Sequence, residues 1–204
     1  MSGWRDRRFA ALLGSRRPLI AAPMAGAAGV ELAIAAIAGG AVGSLPCAML
    51  TPDQARAQVR EVRARAAGPL NLNFFCHTTP APVDETAWRA LLRPYHAETG
   101  MAEAPSAAPS RAPFDAAMCA MVEEVRPEIV SFHFGLPDPD LLKRVRATGA
   151  TMLGNATSVA EARWLGRSGV DAIIAQGWEA GGHAGRFLGG DPEEAMGLFA
   201  LSRR

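Results

Sequence analysis

No stretch of this chain is apolar for long enough to span a membrane, which takes about 20 consecutive apolar residues. The N-terminus has neither the apolar core nor the small-residue cleavage site of a secretory signal. Neither sign of charge is in excess: 21 Lys and Arg against 20 Asp and Glu leave a net charge of +1. That balance gives no electrostatic footprint for nucleic acid. Arg5, Arg7, Arg8, Arg16 and Arg17 form the one basic cluster, and Asp6 and the apolar stretch 9–13 interrupt it. It reads as a solvated helix face, with a faint likeness to a transit peptide. Cysteine is scarce, and Cys47, Cys76 and Cys119 are odd in number, far apart and free of CxxC spacing. They read as reduced thiols in a cytoplasmic protein. What is left is one soluble globular domain of 204 residues, with no nucleic-acid or membrane partner expected.

Within it, apolar runs of strand length alternate with segments of helical period. The strand candidates are 19–22, 41–45, Leu70–Phe75, 128–132, 151–154 and 170–175, in that order. Helices are expected over Val30–Ala38, from Thr51 onward, and across 114–124, 138–147 and 158–168. Pro52 in the first turn and Asp53 behind it make a well-formed helix start, because proline lacks the N–H that would be orphaned there. Continuous apolar strands with helical crossovers predict a parallel sheet covered on both faces. Residues 77–113 break the rhythm, with a helix near 85–92 and a Pro/Ala/Ser-rich stretch at 104–113, and read as an excursion or lid. Six βα units are visible where a (β/α)8 barrel needs eight. Asp191-Pro-Glu-Glu194 begins one more helix over 195–201, and the sequence ends at Arg204 where a seventh strand is due. The fold class expected is therefore α/β, an incomplete TIM-type barrel with about six of its eight units.

Ligands of parallel α/β folds bind at the carboxyl ends of the strands. On this strand map His77, His133 and His183 follow strands three, four and six; Asn71 and Asn73 lie on strand three; Asn155 and Gln176 end strands five and six. Pro23 and Met24 end strand one. Three of four histidines thus share one face, with His96 left in the excursion. Taken singly, Asn73 and Asn155 either tie adjacent loops or serve a ligand, Met24 is either core filler or a cofactor contact, and His133 is either a satisfied core histidine or functional. His183 sits differently. Gly177, Gly181, Gly182 and Gly185 surround it with no helix or strand to account for them, which points to function. A three-histidine metal site is the rival reading, but strand one carries no His-x-His pair and no carboxylate ends a strand, so no metal is expected. Convergent amides and glycines suit a planar heteroaromatic cofactor better, since amides both donate and accept.

Pro18-Leu-Ile-Ala-Ala-Pro-Met-Ala-Gly26, Leu70-Asn-Leu-Asn-Phe-Phe75, Ser131-Phe-His-Phe-Gly135 and Ala175-Gln-Gly-Trp-Glu-Ala-Gly-Gly-His183 closely resemble the nitronate monooxygenases, formerly called 2-nitropropane dioxygenases. These are FMN-dependent TIM barrels, and the resemblance runs in order along essentially the whole chain. The Glu-Ala-Gly-Gly-His block is fairly specific, whereas Ala-Pro-Met is shared with FMN-type enoyl-acyl-carrier-protein reductases. The resemblance implies FMN as cofactor and oxidation of a nitronate or nitroalkane by O2 to a carbonyl product and nitrite. It implies Pro23 and Met24 against the flavin ring, with Asn71, Asn73, Asn155 and Gln176 at its polar edge. Gly177, Gly181 and Gly182 would admit the ring closely, His133 would lie beside the substrate, and His183 would be the catalytic residue. A neutral imidazole can take a proton α to a nitro group near neutral pH; toward a substrate already deprotonated, His183 would orient the anion.

The resemblance further implies two more strands whose glycine turns hold the FMN phosphate. The expectation is a C-terminally truncated barrel, with weak cofactor retention and unpaired edges at strands one and six that invite self-association. The alternatives that stay open are a non-catalytic fragment and an enoyl reductase using NAD(P)H.

Overall fold

The computed structural model describes residues 6–79, 84–101, 111–189 and 195–203. Five strands form its centre: β1 (Gly43–Pro46), β2 (Leu70–Phe75), β3 (Ile129–His133), β4 (Thr151–Ala156) and β5 (Ala172–Ala175). They pair in chain order and in parallel throughout. The helices are α1 (Arg8–Leu12), α2 (Val30–Ala38), α3 (Pro52–Arg65), α4 (Thr86–Thr99), α5 (Ala116–Val125), α6 (Pro139–Ala147), α7 (Val159–Arg167) and α8 (Leu198–Leu201). The sheet is a run of consecutive barrel staves that does not close among the described residues.

Local chemistry sets where the crossover helices begin. Thr51 and Gln54 form a reciprocal capping box at α3, the Gln54 N–H donating to Thr51 Oγ1 at 3.2 Å and the Thr51 N–H to Gln54 Oε1 at 2.8 Å. Asp115, Asp138 and Ser158 accept a first-turn N–H at α5, α6 and α7. Each such cap stabilises its helix by about 1 kcal/mol.

Strand alternation then sorts the side chains. Leu45, Leu70, Leu72, Phe74, Val130, Phe132 and Met152 point outward into one apolar layer with Ala55, Val59 and Val62 of α3 and Met118, Met121 and Val122 of α5. Gly43 and Gly154 occupy outward positions because the helices press there. A Cβ on Gly43 would lie 2.6 Å from Ala33 O of α2, and one on Gly154 2.6 Å from Leu165 Cδ2 of α7. The inner face is mixed. At its amino end Val42, Ile129 and Leu153 close around Leu13, which follows α1 and is 2% exposed. The arginines before it, Arg7 and Arg8, lie on the solvated side, as the sequence suggested.

Three elements differ from expectation. The first strand is reduced to a single parallel bridge, Ile20 to Val42, although Ala21 N–H still donates to Val42 O and Val42 N–H to Leu19 O, both at 2.9 Å. Pro18 and Pro23 flank this segment and supply no N–H to a ladder, so four residues cannot extend it. Helix α4 is longer than expected and carries Pro94 inside it, and none of its residues is buried. The expected start of the last helix at 191–194 lies outside the described residues, and α8 begins only at Leu198. The outermost strand is correspondingly bare: Ile173 and Ile174 of β5 are each 40% exposed.

Candidate active site

A polar ladder climbs the inner face. Asn71 Nδ2 donates to Ser44 Oγ at 3.1 Å, and Asn73 Nδ2 to Ser131 Oγ at 2.9 Å. Above it, the chain leaving β5 folds back over the carboxyl ends of β3 and β4. Gln176 works as a clamp there: its Nε2 donates to the His183 carbonyl at 2.9 Å, while its Oε1 accepts the Gly185 N–H at 2.8 Å and Asn155 Nδ2 at 3.0 Å. His133 Nε2, at the end of β3, lies 3.2 Å from the same His183 carbonyl. A carbonyl only accepts, so His133 carries its proton on Nε2. Gly185 packs tightly against both strand ends, since a Cβ there would stand 2.2 Å from Asn155 Nδ2 and 2.6 Å from His133 Cε1.

Aromatic rings wall this corner. The Phe134 ring lies 4.4, 6.0 and 6.1 Å from those of His133, His77 and His183, and Phe75 lies 5.4 Å from His133 and 6.0 Å from His183. Phe134 adopts φ +65°, which a bulky side chain rarely does and which costs on the order of 1–3 kcal/mol. Gly135 follows at φ +90°, where a Cβ would meet the Phe187 ring at 3.2 Å. Burial pushes the His133 imidazole below its ordinary range and the neighbouring His183 ring acts in the same direction, against the hydrogen bond to the His183 carbonyl. His133 is therefore a neutral donor near pH 7. His77 Nδ1 is buried without a partner.

Two charged residues complete the corner. Arg111 Nη1 lies 2.8 Å from His183 Nε2. Glu161 of α7, 1% exposed, accepts Thr157 N–H and Oγ1–H on one oxygen (2.7 and 2.8 Å) and the Phe187 and Leu188 N–H groups on the other (2.7 and 3.2 Å). It anchors the far end of the loop that carries His183.

A profile of the nitronate monooxygenase family matches residues 7–204. This chain belongs to the nitronate monooxygenase family. It is 41% identical over 202 residues to a nitronate monooxygenase of Paraburkholderia phytofirmans, covering 97% of this chain and 55% of that one. It is 40% identical to one of Pseudomonas aeruginosa, covering 96% and 57%. Among solved structures, nitroalkane oxidase from Streptomyces ansochromogenes superposes with a TM-score of 0.80 at 30% identity, over 92% of this chain and 54% of the other. The chain thus spans a little over half the length of the relatives it matches.

In this nitronate monooxygenase family member the structure gathers His183, His133, His77, Asn155 and Gln176 at one corner. Asn71 and Asn73 sit lower on the same inner face, with the Asn71 Oδ1 buried and unpartnered. Pro23 is half-buried and Met24 45% exposed at the end of the first stave, where the Met24 carbonyl accepts the N–H groups of Ala27 and Ala28. Among the described residues no hydrogen bond ties them to the histidine corner. Gly181 and Gly182 face open space, the latter at φ +81°. Gly177 is needed by the protein itself: a Cβ would lie 2.2 Å from Glu179 Oε2 and 2.5 Å from Leu198 N, and the Glu179 carboxylate accepts the Leu198 N–H. That backbone donor holds Glu179 below the usual carboxylate range. Among the described residues no group of three or more His, Cys, Asp or Glu is arranged to hold a metal ion. His96 lies on α4, outside the ring cluster.

Sequence reasoning missed Phe134, Arg111 and Glu161. Glu161 follows Ser158 at capping-box spacing, so its pattern points to the start of α7 rather than to residues 187 and 188. Arg111 lies within the Pro/Ala/Ser-rich run 104–113 and carries no local signal.

Proposed function

We propose that this chain carries the histidine side of an FMN-dependent nitronate monooxygenase site, which converts alkyl nitronates with O2 to a carbonyl product and nitrite. The observation that carries the reading is the fixed His183 loop at the carboxyl ends of β3, β4 and β5 in a member of this family. The residues present fit a planar, polar ring. The Asn71 Oδ1 is an acceptor in want of a donor, and Cβ atoms on Gly181 and Gly182 would meet nothing within 4 Å. Asn71, Asn73, Asn155 and Gln176 would hold the polar edge of FMN, Pro23 and Met24 its ring face, and Gly177, Gly181 and Gly182 the close approach. When bound, FMN supplies the electron transfer and the oxygen chemistry.

The protein's part is to bind and orient. His183 faces the substrate from a main chain pinned by Gln176 and His133. His133 stays neutral and so adds no charge beside an anionic substrate. Phe75 and Phe134 give the corner an apolar wall that takes the alkyl group and excludes water. A cytoplasmic location belongs to the same proposal, resting on three free cysteines.

Reconstitution tests the reading. Purified protein incubated with FMN is expected to show protein-bound flavin absorbance, to consume O2 with the nitronate of 2-nitropropane, and to lose that activity in His183→Ala. Protein that stays colourless after reconstitution overturns the enzyme reading, and rapid flavin reduction by NADH without nitronate moves the chain to the enoyl reductase class.

A further inference from the structure

Arg111 is a charged group in this corner to which no role is yet assigned. It is exposed, and among the described residues it pairs with no carboxylate; its partner is His183 Nε2 at 2.8 Å. A guanidinium offers five N–H donors and no acceptor, and it keeps its charge at any ordinary pH. The Nε2 atom must therefore supply the lone pair. A neutral imidazole has only one, so the His183 proton lies on Nδ1. The His183 ring then presents an N–H donor with a cation beside it, and its basic nitrogen is already engaged. A neutral nitroalkane needs that nitrogen free to lose its α-proton. An anion with two oxygens needs what is there: donors and positive charge.

We propose that Arg111 is a specificity-determining residue: it holds His183 as the Nδ1–H tautomer and pairs with the oxygens of the substrate anion. The chain thereby takes a preformed nitronate in preference to the parent nitroalkane. This rests on the nitronate reading above for the identity of the anion, but the tautomer does not depend on it.

The test uses the full chain labelled with 15N-histidine, without FMN, as wild type, Arg111→Ala and Arg111→Lys. Long-range 1H–15N NMR is expected to show Nδ1–H at His183 in the wild type and the lysine variant, and a shift toward Nε2–H in the alanine variant. NMR titration with the nitronate of 2-nitropropane is expected to show roughly tenfold weaker binding to Arg111→Ala, the loss of one charge-assisted contact, with partial rescue by lysine. The parent 2-nitropropane at the same pH should bind all three alike. Because Arg111 is exposed, far-UV circular dichroism and the melting temperature should be unchanged across the set. The same His183 tautomer in wild type and Arg111→Ala, or equal nitronate affinity, overturns the proposal. If tautomer and affinity both follow Arg111 while FMN-loaded protein leaves the nitronate intact, the assignment of Arg111 stands and the monooxygenase reading falls.

Discussion

Glu161 offers the sharpest test of how the His183 loop is held. Its carboxylate is almost completely buried and takes four hydrogen bonds, two from Thr157 and two from the Phe187 and Leu188 amides. Glu161→Gln keeps the shape but leaves one oxygen. With that oxygen toward residues 187 and 188, the new NH2 faces Thr157. The hydroxyl can turn to accept, whereas the Thr157 N–H is orphaned. One buried orphan costs about 1–3 kcal/mol, and losing the charge weakens the bonds that remain, so a loss of about 2–4 kcal/mol is expected. Glu161→Leu orphans all four donors. Its cost is capped by the free energy of releasing the loop, after which the Phe187 and Leu188 amides reach water. Urea unfolding measures the global term, and hydrogen exchange at the Phe187 and Leu188 amides measures the local one. A release of 2 kcal/mol raises exchange there by roughly thirtyfold. Glu161→Gln within about 0.5 kcal/mol of wild type, with exchange at Phe187 unchanged, would refute the anchoring role.

Three further outcomes follow from the same corner and the core behind it. Gly185→Ala forces a Cβ to within 2.2 Å of Asn155 Nδ2, so the backbone must shift and the Gly185-to-Gln176 bond must break; flavin affinity, read by fluorescence quenching, should fall by about tenfold or more, and equal affinity would show that this approach is not needed. Burial holds the His133 pKa below its ordinary 6.5, so the unfolded chain takes up this proton first. The stability it contributes is complete above about pH 6.5 and is lost as pH falls toward its folded pKa; His133→Asn should flatten that part of a urea-midpoint profile, and an unchanged slope would sink the assignment. Burial pushes the Cys47 thiol up to about 12 and raises Cys76 and Cys119, so a disulfide reagent near pH 8 should react slowly with native protein and rapidly with all three thiols in denaturant.

The sheet was legible in the sequence because its signals are local. A strand face packed under helices must be apolar, and Leu70, Leu72 and Phe74 of β2 and Val130 and Phe132 of β3 are so, alternating with polar inner-face residues that read as a site rather than as a break. Thr51 and Pro52 fixed the start of α3 for the same reason, since a cap is decided within four residues. The first stave was over-read: 19–22 has the composition of a strand, but only one neighbour and a proline at each side leave a single bridge. Helix α4 was under-read at its carboxyl end, because Pro94 suggests a stop and the helix continues past it to Thr99.

The site divides along the same line. His183 and Gln176 stood out through the glycine-dense loop that holds them both, and Asn155 through its place at a strand end, whereas Arg111, Glu161 and Phe134 matter through partners 72 residues away, 26 residues away and at the ends of other strands. A local pattern does not encode such pairs. Yet these distant contacts decide the geometry of the corner. The His183 carbonyl is held from β3 by His133 and from the end of β5 by Gln176, the Gly185 amide by Gln176, and the Phe187 amide by Glu161 of α7. Every one of these partners is a residue of this chain. The main chain at His183 is therefore set before any ligand arrives, so a bound anion there meets a smaller ordering cost than it would on a free loop.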